Sequence, residues 1–172
     1  MHQQFDVSPE EAKRAKWPHE IFLINLVFNH ILVFASTFGV YSTFPLMVLV
    51  VPLTSFAITA YIIVKGRQIA AGDETWFVKS HWAICAKRNR YFLLLLSAAC
   101  LLIGGGYWLS QAMGWSKIAT LAMLGGGAIL PFMVSLLILI VLGNESVHLA
   151  RVGRLPKRFV EQNPDDSSGS SR

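Results

Sequence analysis

Three stretches of the chain carry no charge. Lys, Arg, Asp and Glu are absent from Ile21 to Val64, from Tyr91 to Ser116 and from Ile118 to Asn144. A helix needs about 20 mostly apolar residues to cross the roughly 30 Å hydrocarbon core of a bilayer. The first stretch has room for two such spans, and the others for one each. The pattern predicts an all-α polytopic membrane protein with four transmembrane helices, over about residues 20–38, 45–64, 91–110 and 118–142. The links at Gly39–Thr43 and Ala112–Lys117 are short, so the spans are expected as two antiparallel hairpins.

Between the spans the punctuation is local. Ser8-Pro9-Glu10-Glu11 combines a capping residue, a proline at the first helical position and an early glutamate. It predicts a short helix in segment 1–19, lying on the membrane surface and ending at Trp17-Pro18. Pro45 suits the first turn of span 2, Pro52 is expected to kink it, and Pro131 offers span 4 a place to bend. Residues 65–90 are expected as a loop, in which Gly72-Asp73-Glu74-Thr75 turns into a helix. The tail, 143–172, holds a basic amphipathic segment from Val147 to Phe159 and ends in DDSSGSSR, a disordered composition.

Composition agrees with the pattern: over 172 residues, 53% are hydrophobic and mean hydropathy is +0.49, too apolar for a soluble domain of this size. The net charge of +5 could suggest nucleic acid, but the distribution of the basic residues gives it another meaning. Fourteen of the fifteen Lys and Arg residues fall in the N-terminal segment, the central loop or the tail, and only Lys117 falls in an odd-numbered loop. The positive-inside rule then predicts both termini and the central loop in the cytoplasm, as in a bacterial inner membrane, beside anionic headgroups. No nucleic-acid partner is expected. Cys85 and Cys100 lie at different levels, so they form no disulfide framework.

Two features stand out within the spans. Gly104-Gly105-Gly106 and Gly125-Gly126-Gly127 lie about 9 and 12 Å inside the same membrane surface at 1.5 Å per residue. Small residues let membrane helices approach closely, so these six glycines are expected to form the seam between spans 3 and 4. Asn25 and Asn29 share one face of span 1, with His30 one position round. Thr54 and Ser55 of span 2 come to a similar depth. These polar groups either satisfy one another across the hairpin or mark a proton-carrying or ligating histidine.

Cofactor chemistry is not expected. A mid-membrane haem needs two axial ligands at one depth, and His2, His19, His81 and His148 all lie at or beyond the inner surface. His81 and Cys85 are four residues apart, but two ligands do not make a metal site. No carboxylate lies in any span, and no phosphate-binding loop is present. No catalytic residues are assigned.

The run from Ala60 to Phe92 resembles a family of small uncharacterised bacterial inner-membrane proteins with four spans. Ala60-Tyr61, Ser80-His81-Trp82, Arg88, Arg90 and Tyr91-Phe92 carry the resemblance, with a looser match at the Arg151–Leu155 exit. It implies topology rather than an activity, and it singles out His81. That residue is expected in a cytoplasmic surface for a partner or lipid headgroups, with Trp76, Trp82, Lys87, Arg88, Arg90, Arg151 and Arg154. The chain is therefore expected to be a non-catalytic accessory or scaffolding subunit, associating with a protein partner or with itself. The alternative is a small oligomeric transport protein using the polar face of span 1.

Overall fold

The structure is a computed structural model and describes residues 2–40 and 43–165. Four long apolar helical rods pack together, and each is long enough to cross a membrane. The first is built from α1 (Pro9–Ile24), a π-helical segment (Asn25–Val33) and α2 (Phe34–Val40). The second opens with a 3-10 turn (Pro45–Leu49) and continues as α3 (Val50–Ala71). The third is α4 (Trp76–Ala112), a single helix of 37 residues. The fourth joins α5 (Lys117–Leu124), a second π-helical segment (Gly125–Ile129) and α6 (Leu130–Arg151). A short strand at each end of the chain, β1 (His2–Gln4) and β2 (Arg154–Pro156), and a final turn of helix, α7 (Lys157–Gln162), complete the described residues.

The packing follows a seven-residue repeat. Along α4 the buried positions Val78, Trp82, Cys85, Asn89, Phe92, Leu96 and Ala99 alternate in steps of four and three. Ala15, His19, Phe22, Leu26 and Asn29 do the same on the first rod, and Leu136, Leu139, Gly143, Ser146 and Ala150 do so on α6. Such stripes keep one face toward a neighbour and favour shallow crossing angles. α1 packs on α6 and α4, and α3 packs on α4 and on the first rod. The shared core is Phe22, Leu26, Ile62, Cys85, Phe92, Leu96, Leu136 and Leu139. At Gly143 an added Cβ would lie 2.9 Å from Leu23 Cδ2, so its missing side chain sets the approach of α6 to α1.

Several local expectations change. Pro18 does not end the first helix. It is buried within α1, and its own carbonyl accepts a hydrogen bond from the Cys85 thiol at 3.2 Å. Residues 65–90, expected as a loop, are almost wholly helical because α3 and α4 extend past the apolar windows, leaving only Gly72–Thr75 between them. Thr75 caps α4 by accepting from the Val78 N–H. Pro52 stands in the first turn of α3, where a backbone donor has no α-helical partner, so it marks the change from 3-10 to α rather than a kink. Pro131 follows a widened turn, in which the Leu130 N–H reaches back to the Gly125 carbonyl. The expected outer turn includes residues 41 and 42, and the expected disordered end includes 166–172; both sets lie outside the described residues.

The two chain ends are tied together at the end of the bundle that carries most of the basic residues, hereafter the basic end. β1 and β2 pair antiparallel, with Gln3 opposite Leu155. The Phe5 N–H donates to the Gly153 carbonyl at 2.8 Å, and Gln4 Nε2 donates to the Val152 carbonyl at 2.7 Å. Beneath the ribbon lies a second core of Ala15, Phe77, Val78, Trp82, Ala150 and Leu155. Arg14 pairs with Glu74 at 3.2 Å, and Thr75 Oγ1 donates to Glu11, joining α1 to the α3–α4 link. The N-terminal segment is thus part of the folded unit. The fold is all-α as expected, with these two three-residue strands forming a small ribbon at one end.

Gly153 makes the ribbon possible. Its φ of +68° is strained for a side chain, and a Cβ there would sit 2.7 Å from the Phe5 carbonyl oxygen. Gly153→Ala should speed hydrogen exchange of the Phe5 amide by about tenfold or more, equivalent to about 1.4 kcal/mol. Gly104→Ala should leave it unchanged, because a Cβ there meets nothing within 4 Å.

Candidate functional site

Buried polar side chains concentrate along the contact of the first rod with α3 and α4. In span 1 the expected polar group largely assembles. Asn25 Nδ2 donates to Ser55 Oγ at 2.9 Å, and Asn29 Nδ2 donates to Asn25 Oδ1 at 3.1 Å and to the Val51 carbonyl at 2.9 Å. Thr54 is not part of it. One position round α3 from Ser55, it is exposed on the outside of the bundle. Thr59, one turn from Ser55 on its buried face, lies inside instead.

His30 is 2% exposed, and its Nδ1 lies 3.1 Å from the Asn25 carbonyl. A carbonyl can only accept, so Nδ1 carries the hydrogen and neutral His30 presents a bare lone pair at Nε2. The backbone explains the reach. Asn25–Val33 winds as a π-helix, which brings residues five apart into register. Around the ring stand Phe92 at 5.2 Å, edge-on, and Phe132 at 5.8 Å. Nε2 has no hydrogen-bond partner.

The second cluster was not anticipated as a unit. His19 Nε2 and His81 Nδ1 lie 3.2 Å apart with their rings edge-to-face, both fully buried where α1 crosses α4. Below them Cys85 bonds the Pro18 carbonyl, and Asn89 Nδ2 donates to the Cys85 carbonyl at 3.2 Å. Arg88 donates to the Leu142 carbonyl at 2.6 Å and to Ser146 Oγ, fastening α4 to α6. His19, His81, Cys85, Arg88 and Asn89 lie outside the charge-free windows. Burial, then the proximity of His81 and of Arg88, holds His19 well below the usual histidine range. Burial likewise brings His81 down to about 4, although the nearby Arg154 backbone opposes it. Burial pushes the Cys85 thiol up to about 12, so it stays a hydrogen-bond donor. The His19–His81 contact is therefore a hydrogen bond between neutral imidazoles.

The expected exposed surface is thus divided. His81 and Trp82 are buried, at 1% and 4% exposure, and Arg88 is turned onto α6. The N-terminal segment and β2 cover the face of α4 that was expected to be free. Trp76 is half-buried against Phe5, with ring centroids 5.5 Å apart. Lys87, Arg90, Arg151 and Arg154 are exposed.

The glycine seam also needs revision. Only Gly106 is tight, with a built Cβ 3.0 Å from Leu124 and Met123, whereas Gly104, Gly105, Gly125, Gly126 and Gly127 have open space. Gly105, Gly106 and Gly127 line an apolar groove of about 410 Å³ with Leu101, Leu109 and Ala128. Here the positions that continue the four–three stripe of α4, Ile103 and Gly106, are only half-buried.

One signal for the histidine pair was present in the sequence. His19 and His30 are eleven residues apart, as are His81 and Phe92, and eleven residues make three helical turns. Each pair therefore returns to one face of its helix. The expectation that Pro18 ended the helix concealed this. Among the described residues no three His, Cys, Asp or Glu side chains converge on a metal-sized site. Comparisons with protein-family models, curated proteins and solved structures found no match.

Acid should loosen this cluster. An unfolded histidine protonates near 6.5, whereas the folded pair resists protonation, so the unfolded state binds more protons as pH falls. Stability is fully present above pH 6.5 and declines toward the folded value of about 4 at His81. The slope approaches about 1.4 kcal/mol per pH unit per histidine. Thermal unfolding in detergent from pH 7 to 5 should show a falling midpoint, with a smaller slope in His81→Phe.

Proposed function

We propose that this polytopic membrane protein is a non-catalytic accessory or scaffolding subunit, with its working face at the basic end. The observation that supports this reading is the joining of both chain ends and the α3–α4 link into one ordered layer there. β1 pairs with β2, Arg14 with Glu74, and His2 lies 3.5 Å from Glu145. By the positive-inside rule that layer faces the cytoplasm of a bacterial inner membrane, with both termini inside. Arg151 and Arg154 are exposed on it, and Lys87 and Arg90 are exposed about three to four turns further along α4, together suited to an acidic partner surface beside anionic headgroups. Transport along the polar face of span 1 is the second reading, favoured by the unpartnered Nε2 of buried His30.

Gentle extraction followed by size exclusion and mass spectrometry separates the two. The proposal expects a stoichiometric companion that is lost at least tenfold when Lys87, Arg90, Arg151 and Arg154 are changed to Gln. Asn29→Leu should retain it. Elution as a homo-oligomer without a companion, combined with loss of cellular function in Asn29→Leu, would overturn the proposal in favour of transport.

A further inference from the structure

Four buried side-chain polar atoms among the described residues have no hydrogen-bond partner, His19 Nδ1, Thr59 Oγ1, Asn89 Oδ1 and His30 Nε2, and a fifth, His81 Nε2, makes no close bond although the Arg154 backbone lies beside that ring. All five lie on the three rods that meet at the first. Their levels follow from helix rise. His19 and His81 mark one level by contact, and His30 and Phe92 mark another by ring packing. Eleven residues on each helix separate the two levels, about 16 Å at 1.5 Å per residue. Thr59 and Asn89 fall between them. Beyond His30, toward the other end, every described buried side-chain polar atom has a partner.

Leaving such an atom unpaired away from water is costly, and the cost grows with each one. Tautomer choice does not remove the cost. His30 Nδ1 is committed to the Asn25 carbonyl, and the His19–His81 bond leaves one N–H and one lone pair over, whichever ring donates. Membrane helices meet such needs with neighbouring side chains or ordered water, and here the side chains are already used.

We propose that a file of internal water molecules follows the contact of α1 with α4 from the His19–His81 pair to His30. His30 is then a proton-accessible site inside the bundle, served from the basic end alone. A proton arriving along the file bonds to the Nε2 lone pair and leaves a water molecule behind. The ring becomes an imidazolium with both nitrogens donating, Nδ1 still to the Asn25 carbonyl. The groups against the ring are the Asn25 carbonyl from its own helix, Phe92 from α4 and Phe132 from α6. No carboxylate is among them. Arg88, one turn nearer the basic end than Phe92 on α4, is held by Leu142 and Ser146, and Arg90 is exposed. The inference does not depend on the docking role of the basic layer.

The test uses the intact chain in liposomes with ¹⁵N-labelled histidine. There are five histidines, and His2 and His148 are exposed internal standards. Magnetisation transfer from water should reach His19, His81 and His30 at rates comparable with His148. Asn89→Leu should cut the rate at His30 severalfold and leave His19 and His81 unchanged. Transfer to His30 in the native chain no faster than to lipid-facing leucine methyls would overturn the proposal. So would an unchanged rate at His30 in a folded Asn89→Leu variant, because the route would then not pass Asn89.

Discussion

The contact between α1 and α4 is the constraint on which the rest of the structure depends. In hydrocarbon a polar group finds either a protein partner or a trapped water. This chain places most of its buried polar side chains where these two helices and α3 meet. The helices run in the same direction, so the contact is made between hairpins rather than within one. Once His19 is seated on His81 and Cys85 on the Pro18 carbonyl, the register of the first rod against the third is set over three turns. The Asn25–Ser55 and Asn29–Val51 bonds then fix the second rod, and Arg88 fixes the fourth.

This arrangement also explains why the bundle is unequal at its two ends. At the basic end the stripes are continuous, Gly143 brings α6 against α1, and the β ribbon closes over a second core. At the other end the next positions of the α4 stripe, Ile103 and Gly106, are only half-buried, five of the six triplet glycines face open space, and an apolar groove lies between the third and fourth rods. The π-helical turns fall where each irregularity is useful. One brings His30 to the Asn25 carbonyl, and the other relieves the chain before Pro131. Order and charge therefore gather at the same end.

The architecture was legible because charge is binary along this chain: three windows without any charged residue define four rods. The network of Asn25, Asn29 and Ser55 was also legible, since residues four apart share a helix face. Three things were not. Pro18 carries the signature of a helix end, yet tertiary packing on Cys85 holds the helix straight through it. His81 and Trp82 carry the composition of an exposed interface, yet a distant segment, the N-terminal strand with its helix, covers them. The glycine triplets suggested close packing, but small residues permit approach without compelling it. In each case the deciding neighbour lies far away in sequence.

The most direct measurement is the through-hydrogen-bond ¹⁵N–¹⁵N coupling between His19 Nε2 and His81 Nδ1 in histidine-labelled protein reconstituted in lipid. The account predicts a resolved coupling at neutral pH that disappears in His19→Phe. Its absence in the native chain, with the two rings titrating as independent exposed histidines, would contradict the α1–α4 register on which the whole arrangement rests.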